Sequence, residues 1–152
     1  EGARLVLSET LRSAGKRGRL MHTKGCTEIY KAFELLAAKD IDLQQETYRR
    51  FFHLCPEAQG LMGHSDDPMR ARMLKQTYEL LIDAELQGPG NYFRWEIRNH
   101  VSAYGVTEPM YLLFFRALEQ AIAQALGQAW TCRMATAWQH RVEDLMQEVV
   151  GA

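Results

Sequence analysis

The sequence has few of the features that mark specialised classes of protein. Only three of its 152 residues are cysteines, and they are far apart, so we expect neither a disulfide framework nor a zinc site of paired cysteines. The 18 basic and 19 acidic side chains nearly cancel, which leaves no electrostatic case for nucleic-acid binding. No apolar run is long enough to span a bilayer. Sparse cysteines favour a reducing compartment, and we therefore expect a cytoplasmic protein.

The start of the chain is basic and rich in glycine. The segment RSAGKRGRLMHTKG holds five Lys or Arg residues among three glycines. We interpret residues 1–26 as a basic N-terminal extension, most simply a solvated and mobile arm. A docking arm, or the end of a linker from a preceding domain, is the alternative. Residues 27–152 have the length of one globular domain.

From Cys26 onward, apolar residues recur with the period of an amphipathic helix, and no long segment alternates as a strand does. Asp42 and Asp67 are expected to cap two of the helices, and Gly127 to end another. The pattern predicts an all-α domain of about seven helices. The expected buried stripes are Ile29, Phe33 and Leu36; Leu43, Thr47, Phe51 and Cys55; Leu74, Tyr78 and Leu81; Tyr111, Phe115, Leu118, Ile122 and Leu126; and Met134, Trp138, Val142, Leu145 and Val149.

Three segments, taken in this order, resemble the globin family. YRRFFHLCPEAQGLM is similar to the second globin helix and the corner after it, and NHVSAYGV to the proximal histidine and its Gly-Val corner. PMYLLFFRALEQAIAQALGQAWTCRMATAW is similar to the last two helices of bacterial-type globins. The resemblance covers residues 27–151. It implies a globin-like fold with an extra N-terminal arm, either as a single domain or within a larger protein, and a haem b cofactor (iron protoporphyrin IX).

The resemblance assigns His100 as the proximal ligand of the haem iron, bound through a neutral imidazole nitrogen. Considered without the resemblance, His100 is a histidine near a helix end, where its positive charge would favour the helix dipole. The remaining histidines are expected at the surface. They are His22, His53, His64 and His140.

On the distal side, the resemblance places Tyr48 and Arg70 near the bound gas. Tyr48 lies eight residues before Pro56, and its phenol can donate a hydrogen bond to the ligand; a core tyrosine is the alternative. Arg70 stands where the family usually has histidine or glutamine, although it can instead reach a haem propionate or solvent. Met62 replaces a phenylalanine that normally wedges the haem, and its soft thioether can still pack on a porphyrin. The other expected haem-lining residues are Phe52, Met73, Leu74, Val106, Tyr111 and Phe115.

These expectations describe a protein that reversibly binds a diatomic gas, oxygen first, with carbon monoxide and nitric oxide as further ligands. Storage, transport and sensing for an attached effector domain all use the same site, and a homodimer suits each of them. An enzymatic role is not expected, beyond nitric oxide dioxygenase or peroxidase side activity. One alternative is a haem-free globin-fold module for sensing or interaction, in which His100 is structural. The other is a plain helical scaffold unrelated to globins, in which the matching segments are accidental.

Overall fold

The computed structural model describes residues 7–12, 26–82 and 105–151. Within these ranges the chain forms helices and no strand, which confirms the all-α prediction. The helix predicted around His100 lies outside them. A 3-10 turn, Gly127–Ala129, joins the last two helices. The α-helices are α1 (residues 7–12), α2 (Cys26–Lys39), α3 (Gln44–Leu54), α4 (Pro56–Leu61), α5 (Asp67–Ile82), α6 (Glu108–Leu126) and α7 (Cys132–Gly151).

Aspartates stand at the start of two helices, but the capping differs from the prediction. The Oδ1 of Asp66 accepts a hydrogen bond from the Met69 N–H at 2.9 Å, so Asp66 caps α5 and Asp67 is already helical. Asp42 lies one position farther from α3 than a cap would, and its Oδ1 accepts from the Gln44 N–H at 2.8 Å. Each carboxylate therefore satisfies a backbone donor that the helix itself leaves without a partner.

The predicted end of α6 at Gly127 is confirmed. Gly127 takes a φ of 56°, in the left-handed region where a side chain is strained, and its N–H donates to the Ala123 carbonyl oxygen. At the other end of the helix, Pro109 lies in the first turn, where a missing N–H leaves no hydrogen bond unmade. The fixed ends set the length of α6 and with it the position of the turn into α7.

The main core joins α2, α5, α6 and α7. Phe33 of α2 packs edge-on against Tyr78 of α5 and Trp138 of α7, with ring centroids 5.1 and 6.5 Å apart. Tyr111 is half-buried at the edge of this core. The predicted stripes of these four helices are otherwise confirmed as buried: Ile29, Phe33, Leu36, Leu74, Tyr78, Leu81, Phe115, Leu118, Ile122, Leu126, Met134, Trp138, Val142, Leu145 and Val149.

A second, smaller core lies between α3, α4 and α6. Tyr48 and Phe51 of α3 pack with Met110 and Ala117 of α6, and the short side chain of Ala117 allows the two helices to approach closely. The predicted stripe of α3 is confirmed, including Thr47, which is fully buried. The Thr47 hydroxyl has no hydrogen-bond partner among the described residues, so its burial costs free energy that the surrounding packing must offset.

The N-terminal extension is not solvated throughout, which corrects that part of the interpretation. Leu7 is 1% exposed, and Leu11 and Thr10 are also buried against the main core. The hydroxyl of Tyr30 on α2 donates a hydrogen bond to the Leu11 carbonyl oxygen at 3.4 Å. Helix α1 therefore packs as part of the helical domain. Most of the basic residues of the extension lie outside the described residues.

Replacing Trp138 with alanine should lower the free energy of unfolding by about 3–5 kcal/mol, because the cavity forms among closely packed rings. Trp138 is 1% exposed, and its ring centroid lies 6.2 Å from that of Trp130. Urea unfolding followed by circular dichroism measures the change. The exposed Gln139 of the same helix provides the control, and Gln139→Ala should stay within about 0.5 kcal/mol of wild type. Similar midpoints for the two variants would contradict the described phase of α7.

Leu7→Ala should lower the free energy of unfolding by about 2–5 kcal/mol, as expected for a leucine in a packed core. Glu9→Ala is the matched control, because Glu9 is exposed on the same short helix and should be within about 0.5 kcal/mol of wild type. The same unfolding assay serves both variants. If Leu7→Ala is as stable as the wild type, α1 does not contribute to the core in solution.

Candidate functional site

The side chains predicted for the distal side of a haem pocket meet where α3 lies beside α5. Tyr48 is 2% exposed, and its hydroxyl donates a hydrogen bond to the Arg70 carbonyl oxygen at 3.1 Å. The two residues are 22 positions apart, so α4 and the loop after it must fold back to bring them together. The structure therefore joins the two polar residues that the resemblance assigned to one pocket.

The guanidinium of Arg70 lies over two aromatic rings of α3. Its central carbon is 5.3 Å from the ring centroid of Tyr48 and 5.2 Å from that of Phe52, within cation–π range. Its Nε–H donates to the Ser65 Oγ at 2.9 Å, and the Ser65 hydroxyl donates to the Met62 carbonyl oxygen at 2.6 Å. These contacts fix the side chain without any carboxylate partner among the described residues. The two terminal nitrogens of Arg70 remain available as donors.

Burial determines the ionisation of the Tyr48 phenol. Desolvation raises the pKa of Tyr48 well above its usual value, and the nearby charge of Arg70 opposes this shift only in part. The phenol therefore stays neutral at physiological pH. It has a single hydrogen, which the Arg70 carbonyl already accepts, so donating to another ligand would require the hydroxyl to give up that bond.

The other predicted haem-lining residues fall into two groups. Phe52, Met62 and Val106 are half-buried and pack against the second core, around Tyr48. By contrast, Leu74 and Phe115 are buried in the main core, with Tyr111 beside it, and Met73 is half-buried on α5. The first group thus packs together with the second core around Tyr48, while the second group contributes to the packing of the main core and of α5.

Two residues of the site were not predicted. Phe114 packs against both cores, and its ring centroid lies 5.5 Å from that of Tyr48. Its signal in the sequence is the Phe114–Phe115 pair, since neighbouring helical residues point about 100° apart and so reach different surfaces. Ser65 has no comparable signal, because its contact with Arg70 depends on the conformation of the loop before α5.

His100 lies outside the described residues, and so does His22. Gly105, in the predicted Gly-Val corner, takes a φ of 69°, a conformation that favours glycine. Within residues 7–12, 26–82 and 105–151, no group of three or more His, Cys, Asp or Glu side chains is arranged to hold a metal ion. The histidines described in these ranges are exposed, as predicted: His53, His64 and His140.

A cleft of about 880 Å³ opens beside Arg70, between the start of α3 and the start of α5. Tyr48, Phe52 and Arg70 form part of its wall, and Arg49 and Gln45 lie on the α3 side. This volume is in the range of sites that accept small molecules. The cleft therefore combines aromatic surface, amide groups and an anchored guanidinium.

Comparisons of the chain with models of protein families, with curated proteins and with solved structures found no match. What the site can do must therefore be derived from its own side chains. In the parts of the chain that the structure describes, no helix combines the length and apolarity needed to cross a membrane. Cys55 is buried and Cys132 is exposed, and both are free thiols.

Tyr48→Phe should lower the free energy of unfolding by about 1 kcal/mol at neutral pH, the usual contribution of one such hydrogen bond. Folding raises the pKa of Tyr48. The contribution of its neutral hydroxyl to the free energy of unfolding is therefore complete below about pH 10, the ordinary pKa of tyrosine, and is lost as the pH rises above that value. The difference in stability between wild type and variant should therefore shrink above about pH 10.

Urea unfolding at about pH 7, 9 and 11 tests this prediction. Tyr30→Phe is the control, because the Tyr30 hydroxyl is less buried and its hydrogen bond is long, at 3.4 Å, so its loss at neutral pH should be smaller. A difference for Tyr48→Phe that stays constant across this pH range would show that burial does not raise the pKa of its phenol.

Proposed function

We propose that this protein is a haem-binding globin that reversibly binds oxygen or another diatomic gas, with His100 as the proximal iron ligand. The observation that carries the proposal is the meeting of Tyr48, Phe52 and Arg70 across α3 and α5. The resemblance expects polar distal residues at these positions. Helical periodicity alone does not require residues from these two helices to come together, so their contact adds support to the resemblance.

The described side chains suit a porphyrin on one side of the proposed pocket. Phe52, Met62 and Val106 offer half-buried apolar surface, and Arg70 offers a cation of the kind that pairs with a carboxylate. Haem iron, when bound, supplies the gas-binding chemistry. The protein would supply the axial imidazole of His100, an environment that limits access of water, and hydrogen-bond donors near the gas.

Arg70 is the better placed of the two distal donors. The Tyr48 hydrogen is taken up by a backbone carbonyl, whereas the terminal nitrogens of Arg70 have no protein acceptor among the described residues. The stacked guanidinium can turn little, because Ser65 holds its Nε–H. We therefore assign Tyr48 the role of positioning Arg70, and Arg70 the role of donor to the gas or to a haem propionate.

A haem-free globin-fold module for sensing or interaction is the second candidate, and the packing of two predicted pocket residues favours it. Leu74 has no exposed surface and Phe115 is 3% exposed. Residues that line a haem are covered by it, whereas protein atoms cover these two. In such a module His100 would be structural, and the contact between Tyr48 and Arg70 would only join two helices.

The remaining parts of the proposal follow from the first. Oxygen, carbon monoxide and nitric oxide are the proposed ligands, with storage, transport or sensing as the role, and nitric oxide dioxygenase or peroxidase activity at most as a side reaction. The two free thiols agree with the reducing conditions of a cytoplasmic setting. An attached effector domain or a homodimer would give the gas site an output.

The visible spectrum of the purified chain, with and without added haemin, tests the proposal. The wild type should bind about one equivalent of haemin and develop a Soret band. His100→Ala should bind haemin at least about tenfold more weakly, since disturbing even an outer-shell partner of a metal ligand costs that much. His140→Ala, at an exposed position of α7, is the control and should bind as the wild type does.

Two outcomes separate the candidates. A wild-type chain that stays colourless and takes up no haemin would exclude the haem protein and leave the haem-free module. Unchanged haemin affinity and an unchanged ferrous spectrum in His100→Ala would instead retain the haem and exclude His100 as its ligand.

A further inference from the structure

The side chains that line the cleft beside Arg70 match a ligand other than haem. Its wall includes the rings of Tyr48 and Phe52 and the short apolar side chains of Pro68 and Ala71. Amide groups from Gln45 and other glutamines supply both donors and acceptors. A ligand with a flat, partly apolar body and one polar end would match these walls.

The guanidinium of Arg70 is held by contacts on its face and at its Nε. The rings of Tyr48 and Phe52 support the plane of the guanidinium, and the Ser65 Oγ takes up its Nε–H. The edge of the guanidinium that carries the two terminal nitrogens has no acceptor among the described residues, so it can donate to a ligand. Two parallel N–H donors match the two oxygens of a carboxylate, and because the fork is already ordered, little side-chain freedom is lost on binding.

The other charged side chains that line the cleft have a bonded partner or lie at the start of a helix. Arg49 donates to Glu46 at 3.0 Å through its Nε, and Arg50 donates to the same carboxylate at 2.7 Å. The hydrogen bond from Arg49 is the largest cause that lowers the pKa of Glu46 to about 2, so this carboxylate is ionised at neutral pH. Asp42 accepts from the backbone at the start of α3, and Asp67 lies in the first turn of α5, where the helix dipole offsets a negative charge.

Arg70 lines the cleft with a cation whose terminal nitrogens have no acceptor among the described residues. A single positive charge favours a monoanion. A phosphate dianion would carry a second negative charge towards the two aspartates, and like charges at close range are unfavourable. The charge distribution thus selects a carboxylate over a phosphate.

We propose that the cleft between α3 and α5 binds a small monocarboxylate, whose carboxylate accepts two hydrogen bonds from the terminal nitrogens of Arg70 and whose flat body lies along Phe52. This site does not require haem. If the protein binds haem, the carboxylate would be a second ligand beside the gas pocket, and its contact with Arg70 would couple the two.

The test uses the full chain and sodium benzoate as the probe, with benzamide as a neutral molecule of the same shape. The Arg70 Nε–H resonance reports binding directly, because its hydrogen bond to Ser65 slows exchange with solvent. Benzoate should shift this resonance saturably, with a Kd on the order of 1 mM, as expected for a ligand of this size. Benzamide should bind at least about tenfold more weakly, since it lacks the charge-assisted pair.

Variants of two neighbouring arginines supply the matched comparison. Arg70→Gln should weaken benzoate binding at least about tenfold, as followed by the backbone amide shifts of the cleft residues. Arg72→Gln, at an exposed position of α5 outside the cleft, should bind as the wild type does. If Arg70→Gln does not fold, Arg70→Lys retains the charge but loses the fork and should bind several-fold more weakly.

With the haem-free chain, three results would overturn the proposal: no benzoate-dependent shift, equal binding of benzoate and benzamide, or tighter binding of inorganic phosphate than of benzoate. A titration of haemin-loaded protein separates this inference from the proposed function. Retained benzoate binding supports a distinct carboxylate site, whereas loss of binding on haemin loading would assign Arg70 to the haem and overturn it. A chain that takes up no haemin but binds benzoate would exclude only the proposed function.

Discussion

A single hydrogen bond between α3 and α5, from the Tyr48 hydroxyl to the Arg70 carbonyl oxygen, organises the candidate site. A phenol that is almost completely buried must find an acceptor or lose several kcal/mol of solvation, roughly 1–3 by mutational data. A helix carbonyl has a second lone pair after its own hydrogen bond is made, and Tyr48 uses one on α5. The bond holds the backbone of Arg70 above α3, so that its side chain can turn back across the rings of Tyr48 and Phe52.

This contact also links the two cores of the domain. Tyr48 belongs to the smaller core with α6, while α5 contributes Leu74 and Tyr78 to the larger one. Phe114 of α6 packs against both, so the same three helices meet on two sides of one site. A movement of α5 relative to α3 would therefore change the position of Arg70 together with the packing of the main core.

Periodicity predicted the helices and their buried faces well because burial is a property of a whole helix face. Over the long helices, each stripe repeats several times, and its phase is fixed by many residues at once, as for Trp138 and its neighbours in α7. Helix α1 shows the limit. Leu7 and Leu11 give a single i, i+4 repeat in a basic, glycine-rich context, too little to distinguish a buried helix from an arm. The prediction of helix caps is limited in the same way. Whether Asp66 or Asp67 caps the helix depends on the turn geometry of one residue.

The site was predicted as a set of residues, but not as an arrangement of bonds. The resemblance named Tyr48, Phe52 and Arg70, and the structure brings them into contact. The resemblance could not name the acceptor of the Tyr48 hydroxyl, because that acceptor is a backbone carbonyl oxygen and every residue of α5 carries one. The hydrogen bond that anchors Arg70 was not predicted for a similar reason, since the contact with Ser65 depends on the path of a loop.

Arg70 is central to both proposals because its terminal nitrogens have no acceptor among the described residues. A half-buried guanidinium loses part of its hydration, and stacking on two rings recovers only some of this loss, on the order of 1–2 kcal/mol. The lost hydration that stacking does not replace favours an anion at the terminal nitrogens of Arg70. A haem propionate and a free carboxylate offer the same two oxygens to the same fork, so the two cannot bind there together. Which of the two proposed ligands would pair with Arg70 therefore depends on where the rest of each molecule would lie, in the cleft along Phe52 or on the apolar surface around Met62 and Val106.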